Sequence, residues 1–108
     1  MNDLIIIYIT CDSVGQAKII GRQLLEKRLC GCVNVIPNMQ PMSWWPPKQN
    51  KIDTSEEVVL LVKTLKNKFS AVEKEIKDMK LFEVPCLIAL PTEKVNKEYY
   101  DWIKGEIK

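Results

Sequence analysis

The sequence predicts an α+β domain in which helices cover one face of an antiparallel sheet. Apolar runs rich in β-branched residues alternate with two segments of helical periodicity. Their order is β-α-β-β-α-β, followed by a C-terminal helix, which is the order of a ferredoxin-like sandwich. The length of 108 residues fits a single domain over residues 1–108.

The first strand and the first helix have the clearest signals. Residues 4–11, LIIIYITC, form a β-branched apolar run that predicts a buried strand. Ser13 and Gln16 form a capping-box pattern and apolar residues follow at helical spacing, so a helix is predicted for residues 14–29. Gly31 stands where a left-handed glycine commonly ends a helix.

Shorter patterns predict the remaining elements. A second strand begins at residues 32–36 and is expected to continue past Pro37 as a bulged extension, up to a loop at Pro46 and Pro47. The other elements are a strand at 56–64, a helix at 65–79, a strand at 84–90 that opens with Pro85, and a helix at 95–106 with Tyr99, Trp102 and Ile103 inward.

The strands are apolar at consecutive positions, as in LIIIYI and VVLLV. An antiparallel sheet with one solvated face shows alternation of apolar and polar residues instead. Without a cover for its second face, the sheet would expose an apolar patch of several hundred Å². The pattern therefore predicts a homo-oligomer in which another copy covers that face.

Composition excludes several classes of function. The chain has no histidine, which removes Ser-His-Asp and Cys-His nucleophile systems and His-containing zinc motifs. Its 16 Lys and Arg are interspersed with 14 Asp and Glu, which does not favour a nucleic-acid partner. No apolar run reaches the roughly 18 residues of a membrane-spanning helix. Without a visible secretion signal, the four cysteines are expected to be reduced thiols in a cytoplasmic compartment.

Candidate metal ligands occur at three places. Glu83 and Cys86 flank a proline at the start of the last predicted strand, where alternation sends them to opposite faces unless a bulge turns the chain. Cys11 precedes a helix N-terminus, which lowers a thiol pKa, so it is expected to be the most reactive cysteine. For all three residues, packing or a surface contact is the alternative. Cys30 and Cys32 form a C-x-C pair that could bind Cu(I), but the favoured interpretation places Cys32 in the core and Cys30 at the end of the helix.

Aromatic and basic side chains predict a contact between subunits. Aromatic residues are enriched at interface cores, and three are expected there: Trp44, Tyr99 and Trp102. Three other residues could bind an anionic ligand at a subunit cleft: Trp45, Lys51 and Lys63. The alternative for both lysines is a salt bridge to Glu57 or Glu83 of a neighbouring copy.

Five sequence blocks follow one another along the chain: YITCDSVGQA, LLEKRLCGCVNVIP, SWW with KIDTSEEVVLLVKT, FEVPCLIALP, and NKEYYDWI. In these blocks and in their order, the sequence resembles the CutA family of divalent-cation tolerance proteins over nearly its whole length. The second block has Cys32 at the position of the family's cysteine.

The resemblance implies a ferredoxin-like subunit, a homotrimer in which strands of neighbouring copies pair, no enzymatic activity, and an association with copper and other divalent cations. The trimer is also similar to PII-type signalling proteins, which bind nucleotides between subunits. The sequence departs from the family at Lys80 and Cys86, where His and Glu are common, and in a longer turn at 46–50.

Three functions are therefore expected. The first is a metal-binding tolerance protein that binds copper or another divalent cation through Cys86, Glu83 and Cys11. The second is a trimeric sensor of a small anionic ligand, and the third is a scaffold for an unidentified partner protein. Neither nucleic acid nor a membrane is an expected partner.

Overall fold

A computed structural model describes residues 2–108. The one-domain prediction spans residues 1–108, of which Met1 lies outside the described residues. The strands are β1 (Leu4–Cys11), β2 (Cys32–Met39), β3 (Met42–Trp44), β4 (Ile52–Thr54), β5 (Glu57–Leu65) and β6 (Leu87–Pro91). The helices are α1 (Val14–Glu26), α2 (Phe69–Met79) and α3 (Lys97–Glu106).

Four strands form one antiparallel sheet in the order β2-β5-β1-β6. The central pair, β1 and β5, is matched along its whole length, from Leu4 opposite Leu65 to Cys11 opposite Val58. This topology confirms the predicted α+β fold with an antiparallel sheet and an added C-terminal helix.

One face of the sheet packs against α1 and α2 and forms the hydrophobic core. Because side chains alternate along a strand, every second residue of β1 and β5 points to this face. The buried cluster joins them to the apolar stripes of the two helices and includes Ile5, Ile7, Ile9, Leu60, Val62, Ile20, Leu24, Val72 and Ile76. Full burial of each such side chain is worth about 1.5–3 kcal/mol.

The third helix, α3, lies against the opposite face of the sheet, near the end of β5. Alternation places Lys63 on that face, and its ammonium nitrogen lies 5.4 Å from the ring centroid of Tyr99. Ile103 of the same helix is fully buried. The helix covers only one end of the second face. None of the helices among residues 2–108 has the length and apolar character to cross a bilayer.

Beyond α3 the second face, called the open face below, is apolar and accessible. Ile36, Ile88 and Leu90 are 45%, 51% and 44% exposed. Tyr8 lies opposite Ile88, and Val59 lies opposite Ile36, so apolar pairs extend across the sheet. The sequence expectation of strands with two apolar faces is confirmed.

The strands β3 and β4 form a separate hairpin that the sequence pattern did not predict. Trp44 pairs with Ile52, and Ser43 pairs with Asp53. Met42, Trp44 and Ile52 share one side of this ribbon and are 76%, 70% and 64% exposed. The hairpin therefore has an exposed apolar side and a polar side. The predicted bulge lies before it, where the register of β2 shifts after Ile36.

The first helix ends earlier than predicted. It stops at Glu26 instead of residue 29, and Arg28, with φ of 59°, takes the left-handed conformation expected at Gly31. Glycine is required at position 31 because there is no room for a side chain: a Cβ there would lie 2.3 Å from Cγ1 of Ile103.

Three other boundaries also differ from the prediction. The last strand begins at Leu87, so residues 84–86 lie outside the sheet, and α2 begins at Phe69 after a 3-10 turn. The third helix begins at Lys97. The expectation that Trp102 points inward is wrong, because this side chain is 49% exposed.

Candidate functional site

A cleft of about 540 Å³ opens where the end of β1, the hairpin and the segment before β6 meet. Four carboxylates line it, those of Asp12, Asp53, Glu57 and Glu83. Among the described residues, no lysine or arginine joins the lining. The other polar and aromatic lining residues are Thr10, Ser43, Ser55, Cys86, Trp45 and Phe82. We call this region the acidic cleft.

Three parts of the fold position these side chains. Strand alternation places Thr10 and Glu57 on the open face, near the ends of two central strands. The hairpin directs Ser43 and Asp53 to the cleft because its apolar residues occupy its other side. Residues 81–86 close the cleft from the β6 side.

None of the four cleft carboxylates belongs to an ion pair among residues 2–108. Glu57 accepts a hydrogen bond from the Ser55 hydroxyl, with Oγ and Oε2 3.2 Å apart. Uncompensated charges of one sign in a concave surface concentrate counter-ions of the other sign. The acidic cleft therefore favours cations.

The predicted metal ligands Glu83 and Cys86 both line the acidic cleft. Alternation along a strand would have sent the two side chains to opposite faces. Both residues lie before β6, in a loop, so this alternation does not apply to them. They supply a carboxylate and a thiol, which are donors for divalent cations and copper. Across the described part of the chain, no three Cys, Asp or Glu side chains are grouped closely enough to hold one metal ion together.

Cys11 differs from its predicted state. The side chain is 1% exposed and belongs to the hydrophobic core. Burial, with smaller effects from the Asp12 and Glu57 carboxylates, raises the pKa of the Cys11 thiol from 9.0 to about 11. The expectation of a lowered pKa is wrong, because loss of hydration of the thiolate outweighs the field of the helix N-terminus.

The other two cysteines lie at the start of β2. Cys30 is buried, and its pKa is raised to about 12 by burial and by the nearby Cys32. Cys30 was expected at the helix end, but α1 ends at Glu26 and Cys30 belongs to the hydrophobic core. The expectation that Cys32 is a core residue is wrong, because Cys32 lies opposite Lys63 on the open face and is only half-buried. All four cysteines are free thiols.

The predicted anion-binding residues are not brought together within one chain. Trp45 lines the acidic cleft, whereas Lys63 lies over the ring of Tyr99. The exposed Lys51 meets Trp45 through the backbone, where the Trp45 N–H donates to the Lys51 carbonyl oxygen at 3.1 Å. A site with all three residues would need more than one copy.

The aromatic residues predicted at a subunit contact lie in two places. Trp44 is on the apolar side of the hairpin, and Tyr99 packs on Trp102 with ring centroids 5.5 Å apart. The Tyr99 hydroxyl is buried and has no hydrogen-bond partner among the described residues. Both tryptophans are well exposed. Their contact with another copy remains a prediction.

Sequence reasoning missed three of the four cleft carboxylates as site residues. Glu57 and Asp12 become neighbours only once the register of β1 and β5 is known. Asp53 reaches the cleft through the hairpin, whose short strands carry no clear alternation.

Comparison with known proteins gives one consistent result. The family model described as CutA1 divalent ion tolerance protein matches residues 5–106. The divalent-cation tolerance protein CutA of Archaeoglobus fulgidus is 41% identical over 102 residues, which cover 94% of this chain and 96% of that protein. The protein of the same name from Thermus thermophilus is 33% identical over 99 residues, which cover 92% of this chain and 93% of that protein.

Solved structures agree with these relatives. The Archaeoglobus fulgidus structure, described as a periplasmic divalent cation tolerance protein, has a TM-score of 0.90 at 38% identity and covers 97% of this chain and 99% of that chain. CutA from Xylella fastidiosa has a TM-score of 0.91 at 32% identity and covers 99% of this chain and 100% of that chain. The chain belongs to the CutA1 family of divalent ion tolerance proteins.

Proposed function

We propose that this protein is a homotrimer that contributes to divalent-cation tolerance by binding the cation in its acidic cleft, without catalysing a reaction. The observation that carries the proposal is the lining of the cleft, with four carboxylates, one thiol and no cationic side chain among the described residues. Family membership supplies the link to divalent ions.

The donor chemistry indicates which ions suit the cleft. Carboxylate and hydroxyl oxygens favour hard divalent cations, whereas the Cys86 thiolate favours copper. Because no three ligating side chains are grouped in one described chain, we expect a bound ion to keep part of its water shell. Copper is expected to depend on Cys86 together with Glu83.

The exposed apolar surfaces support the homotrimer. The open face exposes Ile36 and Ile88, and the apolar side of the hairpin exposes Trp44 and Ile52; contiguous exposed apolar side chains mark interaction surfaces. Another copy of the chain offers matching apolar surfaces. The symmetry of three copies comes from the family resemblance.

A metal titration tests the proposal. We expect Glu83→Gln and Cys86→Ser each to weaken binding of copper by at least about tenfold, because each removes one donor from the cleft. Glu93→Gln, which changes an exposed carboxylate outside the cleft, is the matched control. The titration uses the reduced protein with a competing chelator and is repeated with Mn²⁺ for the oxygen donors.

The outcomes separate the alternatives. Metal binding that is absent, or unchanged in both cleft variants, would contradict the cation site. A thermal stabilisation by nucleotides alone would favour the anion sensor, although the acidic lining around Trp45 opposes it. A partner bound without any ligand response would favour the scaffold, for which the exposed Ile19 and Leu81 beside α1 and α2 provide a surface.

We further propose a cytoplasmic compartment, because four free thiols are typical of proteins in reducing surroundings. The description of the Archaeoglobus fulgidus relative as periplasmic points the other way for that protein. Cell fractionation of the native protein tests the compartment, and recovery in the periplasm would contradict the proposal.

A further inference from the structure

Two charged side chains lie within the apolar open face. Glu57 and Lys63 belong to β5, and alternation places them on the same face as Val59 and Leu61, which stand between them. Both charged residues are half-buried in the single chain. Glu57 marks the end of the open face at the acidic cleft, and Lys63 marks the end beside α3.

Neither charge is compensated within the described part of the chain. Lys63 and Glu57 are absent from its ion pairs. The Lys63 ammonium group instead lies over the Tyr99 ring, which fixes its position at the surface. Six residues of extended strand separate the two charges by about 20 Å, so they cannot pair with each other in one copy.

Covering the open face changes the energetics of both groups. Any copy that buries Leu61, Ile36 and their apolar neighbours on this face also removes water from Lys63 and Glu57. A charge that loses its water without gaining a partner strongly destabilises the buried state. The open face of a second copy carries a partner of opposite charge for each group: a glutamate for Lys63 and a lysine for Glu57.

We propose that Lys63 of one copy forms an ion pair with Glu57 of a neighbouring copy across the open face. This inference rests on the proposed homo-oligomer and specifies how its surfaces are matched. Strand β5 of the neighbouring copy then borders the acidic cleft. Of the four cleft carboxylates, that of Glu57 is paired with Lys63 of the neighbouring copy. The remaining carboxylates stay available to a cation.

A double-mutant cycle tests the pair. We measure the dissociation constant of the assembly by analytical ultracentrifugation of the full chain over a dilution series. The variants are Lys63→Met, Glu57→Gln and the double variant. Each single change is expected to weaken assembly by at least about tenfold, because it leaves the partner charge buried and unpaired. The double variant is expected to weaken assembly by much less than the product of the two effects.

The position of the two residues makes the cycle specific. Because they lie far apart within one copy, strong coupling between them reports contact between copies. Lys66→Met and Glu93→Gln change exposed charges of the same types and form the matched control cycle, in which the effects are expected to be small and additive. The charge-exchanged double variant, Lys63→Glu with Glu57→Lys, keeps complementarity and is expected to assemble even if a single variant does not fold.

The outcomes distinguish the two proposals. A parent protein that stays monomeric at all concentrations would contradict the homo-oligomer itself. An assembled parent with additive effects of Lys63→Met and Glu57→Gln, and no assembly of the charge-exchanged variant, would overturn the ion pair alone. If the parent protein were a dimer and the effects of Lys63→Met and Glu57→Gln were coupled, the result would support the ion pair and contradict the proposed homotrimer.

Discussion

The cysteine thiols of this chain differ by their surroundings more than by their position in the sequence. Cys11 and Cys30 are surrounded by core side chains, and burial raises the pKa values of both thiols. Cys86 lines the acidic cleft and is partly exposed. The thiol in the cleft is therefore partly accessible, whereas the thiol beside the helix N-terminus is buried.

Alkylation of the native protein is expected to modify Cys86 long before Cys11. A pKa of about 11 instead of 9.0 leaves Cys11 with roughly a hundredfold less thiolate at pH 8, and burial slows its reaction further. Time-resolved labelling with iodoacetamide, followed by mass spectrometry, measures both rates. Cys86→Ser should remove the fast labelling of the peptide that contains residue 86, and fast labelling of Cys11 in that variant would contradict this assignment.

At the residue scale, sequence reasoning succeeded where the cause is local. The cap forms at the predicted residues: the Gln16 N–H donates to Ser13 Oγ at 3.0 Å, and Gln16 Oε1 accepts from the Asp12 N–H at 2.7 Å, one residue before the Ser13 N–H of a full capping box. The shift in the pKa of Cys11 was predicted with the wrong sign, because the burial of its side chain depends on which face of the sheet the helices cover. Desolvation by tertiary neighbours is not visible in a local pattern.

Among the structural elements, α3 makes an unusually close contact with the rest of the fold at Gly31. Gly31 admits Ile103, and a methyl group at position 31 would overlap it. The end of α3 is also linked to the loop after α1, where the Lys108 N–H donates to the Arg28 carbonyl oxygen at 3.1 Å. The close packing of α3 at this point therefore requires a residue without a side chain at position 31.

Gly31→Ala is expected to destabilise the protein by about 1–3 kcal/mol, because the added methyl group overpacks the contact with Ile103. Gly105→Ala is the matched control. It lies within α3 with nothing within 4 Å of the added Cβ, so it is expected to stabilise the helix by about 0.5–1 kcal/mol. Denaturant unfolding measures both values. Equal stabilities of the two variants would contradict the packing role of Gly31.

Element prediction followed the strength of periodicity. The first strand and the two core helices have long apolar patterns, and each lies where it was predicted, apart from its ends. The hairpin of β3 and β4 has only three residues in each strand, too few for alternation to be recognised. Its pairing depends on tertiary position, so the polar side that lines the acidic cleft could not be predicted.

At the scale of the whole molecule, most of the large exposed apolar side chains among residues 2–108 lie in two regions. One consists of the open face and the apolar side of the hairpin, and it includes Ile36 and Trp44. The other lies on the helix layer, where Ile19 is 64% exposed. A trimer formed through the sheets would cover the first region and leave the second accessible.

Ile36→Asp is therefore expected to dissociate the assembly or weaken it by at least about tenfold, because a carboxylate would be buried between copies. Ile19→Asp removes a more exposed apolar side chain and is expected to leave assembly unchanged. Light scattering coupled to size-exclusion chromatography gives the mass of each variant. Unchanged assembly of Ile36→Asp would show that the open face is not the contact.

The exposed hairpin has a consequence for how the chain behaves when it is scarce. A newly synthesised copy exposes a tryptophan, a methionine and an isoleucine on one side of the hairpin before it meets another copy. If assembly is what shelters this ribbon, stability and concentration cannot be separated, and dilution lowers the melting temperature. The amount of chain made in the cell then determines how much of it survives proteases and aggregation.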